Sequence, residues 1–414
     1  MPAVLPDLPA ELIGEIASHL VTGQHRGYPG RQLCNLRRVS RVFSKATSHV
    51  FIRATFSERV VDICSGDLQR LIQVKSNPAY ADAIQSLRFE RRDATSLAVL
   101  STLHSAAGDT TGGSMCLLDL PDLIHIQLAG LFQMLRNLRT LTIFTPLLYS
   151  HVASRSHYGH VHGRLNDGNM CSILLAAAGA SSTRIETMSV CGTSDQDFGL
   201  SYAQLASLVD GDLLTLRVDK RPLSGFRNLR SLRLTLAIGN GSNPQIWTEL
   251  LTSLLKQMPD LCTLHVSYQQ YHSAWSGPIL DTLERFRLSN LSAIGLANMY
   301  SPTEQLTRLL TTYQTTLTHL SLDNYCLTEG KGWKAVLTKV RGLDKGLSRL
   351  FLDRLSEQDR SVQLRPVIHV SLREKYTVRI DETESMTDAL QDVLSTMQLV
   401  KGYIDGMQPL QSPL

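Results

Sequence analysis

Leu317-Thr-His-Leu-Ser-Leu322 carries leucine at its first, fourth and sixth positions. Side chains alternate faces along a strand, so the fourth and sixth residues point to one side. The first joins them, presented inward by the turn that precedes the strand. The same spacing returns in Ile84–Phe89, Leu138–Ile143, Ile185–Val190, Leu213–Val218, Leu229–Leu234, Leu261–Val266 and Leu347–Leu352. Each unit offers three apolar groups to one side and is too small to bury them alone. Only stacked neighbours can share a core, which predicts an α/β solenoid of parallel strands and helices.

The register is irregular. Early intervals are long, the one from Leu216 to Leu232 is short, and spacing settles after Leu264 if Leu291–Leu296 is one more strand. Ser301-Pro302 would then cap a helix reaching about Tyr313 and leading into the Leu317 strand. The competing strand, Leu283–Leu288, stays open. Helical patterns fill Leu120–Leu135, Trp247–Met258 and Trp333–Val340, with turns at Arg136-Asn137 and Met258-Pro259. Trp333, after Gly332, reads as a helix-start anchor packed on the last strands. Residues 149–169 are polar and read as a mobile loop insertion. Tyr376–Ile380 reads as a last strand and Glu384–Gln398 as a helix before a fraying tail. The expected plan is a helical domain at 1–56, a helical connector at 57–83, the solenoid at 84–380, and a C-terminal helix and tail at 381–414.

Composition narrows the class. The chain has 414 residues, 43% hydrophobic and 19% charged, with a net charge of +4. That is ordinary for a globular protein and gives no reason to expect a nucleic-acid partner. Seven cysteines are scattered without any C-x-x-C pair, which is reduced, intracellular usage. The N-terminus carries acids where a signal peptide has basic residues. The longest apolar run, Ile173 to Ala180, is far short of the ~20 residues that span a membrane. Cytoplasm, nucleus or both are the expected locations, with no membrane partner.

Residues 1–56 read differently from the rest. Pro9 suits a helix start, where a missing N–H costs little. After Leu8 and Pro9, the residues Leu12, Ile13, Ile16 and Leu20 share a helical face. Gly23 to Gly30 breaks that helix. A second helical segment places Leu33, Leu36, Val39 and Phe43 three and four apart, among Arg37, Arg38 and Arg41. A third apolar stretch holds Val50, Phe51 and Phe56. Three short helices near the lower size limit for a stable core must lean on the next domain or on a partner.

This segment resembles an F-box. The Leu8-Pro9 pair opens an amphipathic helix, and Leu36-Arg37-x-Val39-Ser40-Arg41-x-Phe43 matches the family's second helix. The linker from Gly23 is longer than is usual there. The remainder looks like the leucine-rich-repeat-like domains that follow F-boxes in fungal proteins, most closely from Leu320 through Trp333 to Leu355. The resemblance implies a non-catalytic substrate receptor of a cullin-based ubiquitin ligase, working without a cofactor. Its F-box would dock on a Skp-family adaptor, and through it on a cullin, using Leu8, Pro9, Leu12, Ile13, Ile16, Leu20, Leu33, Leu36, Val39 and Phe43. Its repeats would hold a protein substrate, and a repeat scaffold acting outside any ligase is the alternative.

The outward strand positions, between the two inward ones, are where that substrate would lie. They hold Arg88, Thr142, Ser189, Arg217, Arg233, His265, Ser321 and Phe351. Arg88, Arg217 and Arg233 would suit an acidic or phosphorylated partner, since guanidinium groups pair bidentately with such anions. Arginine, threonine and serine are also routine on solvated strand faces. Other features carry less. His151, His157, His160 and His162 share one polar loop, with no cysteine or carboxylate spaced to complete a metal site. The run from Gly239 to Pro244 lacks the third glycine of a dinucleotide fingerprint and reads as a turn. Asp210 and Asp212 flank a turn glycine. No phosphate-binding, zinc-protease or serine-hydrolase motif is present, so an enzyme is not expected.

Overall fold

The computed structural model of the chain describes residues 9–22, 29–62, 67–74, 77–90, 120–145, 167–192, 200, 205–206, 224–237, 243–268, 274–275, 277–329, 332–343, 347–357, 360–361 and 377–380. Within them the fold is α/β and solenoid-like. Strands β1 (Glu58–Asp62), β2 (Ser86–Glu90), β3 (Thr140–Thr145), β4 (Thr187–Gly192), β5 (Ser231–Leu236) and β6 (Thr263–Tyr268) pair in chain order. After a short β7 (Ala274–Trp275), the row continues through β8 (Ala293–Ser301), β9 (His319–Leu327) and β10 (Arg349–Asp353). All pairings along this row are parallel.

The leucine spacing becomes two in-register columns. Leu87, Leu141, Met188, Leu232, Leu264, Ile294, Leu320 and Leu350 pair successively, and so do Phe89, Ile143, Val190, Leu234, Val266, Leu296, Leu322 and Leu352. Every member of both columns is buried. The third apolar residue of each unit is set by the turn before the strand. There, two successive N–H groups donate to one carbonyl of the preceding unit: Arg139 and Thr140 to Gln85, Glu186 and Thr187 to Arg139, and onward to Ser348 and Arg349 on Thr318. This tight entry turns Leu138, Ile185, Leu229, Leu261, Leu291 and Leu317 fully into the core.

Helices fill the returns between strands: α5 (Asp67–Val74), α6 (Pro78–Ala83), α7 (Leu120–Met134), α8 (Asp167–Ala180), α9 (Pro244–Lys256), α10 (Gly277–Arg285), α11 (Thr303–Thr312) and α12 (Gly332–Arg341). Neighbours in this row touch, α7 with α8 and α9 through α12 in turn. The apolar run from Ile173 lies in α8, whose Leu174, Leu175, Ala177 and Ala178 are all buried, as befits a helix apolar on every side. A one-turn 3-10 segment, Ser224–Phe226, crosses it so closely that a Cβ on Gly225 would overlap the Ala178 carbonyl oxygen. Among the described residues no helix is long and apolar enough to cross a membrane.

Near the far end, the strand geometry changes at three left-handed residues, Asn298, Asn324 and Arg354, with φ of 57°, 48° and 50°. Asparagine tolerates this conformation because its short amide bonds locally. Asn324 Nδ2 donates to Asn298 Oδ1 and Asn298 Nδ2 to the Tyr268 carbonyl, both at 2.9 Å. The kink shifts the alternation, so that Met299, Ser301, Tyr325 and Leu327 turn inward. The far halves of β8 and β9 then take on β7 and β11 (Ser356–Glu357), and β12 (Arg360–Ser361) folds back on β11. Trp333 anchors the start of α12 there, buried edge-on against Tyr325, with its Nε1 donating to the Ser356 carbonyl at 2.8 Å.

Several expectations change. Four helices, not three, precede the sheet: α1 (Ala10–Thr22), α2 (Pro29–Val39), α3 (Arg41–Ala46) and α4 (Ser48–Phe56). The connector at 57–83 is not wholly helical, because β1 forms the first strand of the sheet inside it. Leu291 leads into a strand, and the competing Leu283 lies in α10. β4 pairs directly with β5, and Leu213–Val218 lies outside the described residues. The insertion at 149–169 ends in α8, which starts at Asp167, and the rest of it lies outside the described residues. β13 (Thr377–Ile380) pairs antiparallel with β10, so it closes the row without adding a repeat. The helix expected at Glu384–Gln398 and the tail lie outside the described residues.

Candidate functional site

Two surfaces hold the candidate residues. The first is built by α1 to α4. Pro9 is exposed just before α1, and its carbonyl accepts from Ile13 N–H at 3.2 Å, the first bond of the helix. Ile13 and Ala17 face inward and are fully buried, while Leu12 and Ile16 stand four apart on the other side, 46% and 45% exposed. Leu33 and Phe43 are buried with Ile13, and Leu36 is half-buried. Ile13, Leu33 and Phe43 therefore form the core of the helical unit and are withdrawn from the residues free to meet a partner. Leu8 and the Leu20 side chain lie outside the described residues.

The reason lies at Ser40. Read as one helix, Leu33, Leu36, Val39 and Phe43 would share a face. Ser40 instead takes extended backbone and its Oγ accepts from Phe43 N–H at 3.2 Å, capping a new helix. The restart changes the helical phase. Phe43 swings into the core, and Val39 and Val42 are left 66% and 48% exposed on either side of the junction. Val42 is the residue that sequence reasoning missed, and the serine between two apolar helical runs is the signal that could have found it. α1 packs on both α2 and α3 through its inward side, leaving Leu12 and Ile16 exposed on the other. The Arg37 guanidinium lies over the Phe51 ring, 4.3 Å from its centroid, pinning α2 to α4. Phe56, at the end of α4, stacks on Tyr80 of α6 at 4.6 Å and fastens the helices to the sheet domain.

The second surface is the outward face of the strands. Register pairing lines up Val60, Arg88, Thr142, Ser189, Arg233, His265, Gly295, Ser321 and Phe351 in one row. The structure thus brings together Arg88, Arg233, His265 and Phe351, while Arg217 lies outside the described residues. Their surroundings differ. Arg88 is neutralised by Glu90 at 3.1 Å and lies over the Phe144 ring at 4.5 Å. Phe351 is half-buried near the far end. Asp323 and Asp353 sit within β9 and β10 and hold Arg354, whose Nη2 reaches Asp323 Oδ1 at 2.6 Å. Arg233 is exposed, and no carboxylate among the described residues comes within ion-pair distance of it.

His265, beside Arg233, leans over the neighbouring strand. A Cβ on Gly295 would overlap its ring, so glycine is what makes room. Burial, and then the Arg233 charge, push the imidazole down to a pKa of about 4, so it is neutral at neutral pH. One step along the same two strands, the Thr235 and Ser267 hydroxyls bond each other at 2.9 Å. The run from Gly239 leads into Asn243, whose Oδ1 caps α9 by accepting from Gln245 N–H. The histidines of residues 151–162, Asp210 and Asp212 lie outside the described residues. At the strand face, the Thr318 hydroxyl lies 2.8 Å from His319 Nδ1 and also donates to the Ser292 carbonyl at 3.1 Å.

No protein-family model matches the chain, and no curated protein matches it either.

Proposed function

We propose that the chain is a substrate receptor of a Skp–cullin–F-box ubiquitin ligase. In this reading the helices of residues 10–56 dock on a Skp-family adaptor, and the strand domain holds a protein substrate. One observation carries it: Leu12, Ile16, Val39 and Val42 stay exposed on a helical unit whose own core is already filled by Ile13, Leu33 and Phe43. Half-exposed side chains of this size would each contribute about 1 kcal/mol on being covered. Large exposed apolar groups gathered in one small unit mark an interaction surface. The likeness of Leu8-Pro9 and of Val39-Ser40-Arg41-x-Phe43 to the F-box names the partner. The leucine columns and the paired asparagines support a leucine-rich-repeat-like reading of the rest. Such a receptor does no bond chemistry. It acts by proximity, holding a substrate lysine at high effective concentration near the ubiquitin thioester.

The test mixes the full chain with a purified Skp-family adaptor and measures binding by calorimetry. A complex should form, and Leu12→Asp with Val42→Asp should weaken it roughly 100-fold. The melting temperature of that variant should hold, since both side chains already face solvent. Absence of a complex with the unaltered chain, or equal binding by the variant, would remove the reading.

A further inference from the structure

We propose that Arg233 and His265, with the Thr235–Ser267 hydroxyl pair, form a carboxylate-binding subsite for an extended acidic peptide segment of the substrate. This deepens the receptor reading and takes its biological meaning from it. The four residues make a square on two paired strands, about 4.8 Å across and about 6.6 Å along. They sit near the middle of the outward face. On β4, β5, β6 and the first half of β8 (before Asn298) the outward positions are otherwise serine, threonine, alanine, glycine and cysteine, so Arg233 carries the only fixed charge of those outward rows among the described residues. The neighbouring cations are matched already, Arg88 by Glu90 and Arg354 by Asp323.

Neither ring nitrogen of His265 has a hydrogen-bond partner among the described residues. Its ring lies over Gly295, on the β8 side, while Arg233 stands exposed on β5 at the paired position. A carboxylate there would accept from the guanidinium and from the imidazole N–H, with the hydroxyl pair beside it. One fixed positive charge matches a monoanionic carboxylate. A phosphate dianion would need a second cation, and the described residues of the square supply none. Small neighbours on both sides let an extended backbone approach the sheet closely.

The test titrates the full chain, without adaptor, with fluorescein-labelled octaglutamate, using octaglutamine and a phosphoserine octapeptide of otherwise neutral sequence as comparators. Octaglutamate should bind, and Arg233→Gln should weaken it roughly ten- to hundredfold. Arg139→Gln, which alters an exposed arginine paired with Glu186 outside the square, should leave binding unchanged. By NMR, the His265 imidazole, assigned by its loss in His265→Gln, should titrate at higher pH when octaglutamate is present. Equal affinity in Arg233→Gln, no preference over octaglutamine, binding by the phosphopeptide alone, or an unmoved His265 titration would each overturn the subsite. Adaptor binding plays no part in this titration, so its failure and the failure of the ligase reading are told apart.

Discussion

His265 folds into a place that favours its neutral form. Burial and the adjacent Arg233 hold it at about 4, against an ordinary 6.5. The unfolded chain therefore binds the proton more tightly than the folded one between those values. This group's contribution to stability is complete above about pH 6.5 and is lost as pH falls toward 4, by about 3 kcal/mol at most. Urea unfolding of the full chain at stepped pH should show that slope, and His265→Gln should flatten it. An unchanged slope in the variant would mean that carboxylates elsewhere set the acid response. That His265 points outward was legible from period-two alternation alone. Its neutrality was not, because it depends on how deeply the ring is buried, and the ring settles over Gly295 one strand away, 30 residues further along the chain.

At the scale of single elements, Ser40 decides more than its size suggests. Helical spacing from Leu33 to Phe43 is regular, and periodicity cannot register a break that keeps apolar residues three and four apart. The serine hydroxyl competes for backbone N–H groups and restarts the helix. Ser40→Ala should cost about 1 kcal/mol of stability through loss of the cap. It should also weaken adaptor binding, because Val39 and Val42 would lose their common junction. Equal melting and equal adaptor affinity in the variant would show that the junction is held by packing alone. The two strands competing near residue 290 were undecided for a similar reason. Leu283–Leu288 has the strand spacing, yet Leu283 lies in α10 because Gly277-Pro278 opens a helix there, and its Ile279, Leu280 and Leu283 fill the gap beside α9.

Across the whole molecule, the solenoid plan was readable because each unit repeats the same three inward residues, and all but the Leu213 unit stand in the described ladder. Leu213–Val218 carries the spacing but lies outside the described residues, and β4 and β5 pair directly with each other. The N-terminal helices and the sheet are joined through Phe56 and Tyr80 and by α4 leading directly into β1. This leaves the Leu12 and Ile16 side of the first unit open while the Phe56 side is closed. The proposed receptor reading divides the labour accordingly, with the helical unit for the adaptor and the strand face for the substrate.

Amide hydrogen exchange of the full chain, with and without a Skp-family adaptor, tests that division most directly. Protection should rise across α1, α2 and α3 and leave the strands from β3 to β10 unchanged. Unaltered exchange in residues 10–46, or protection confined to the strands, would contradict it.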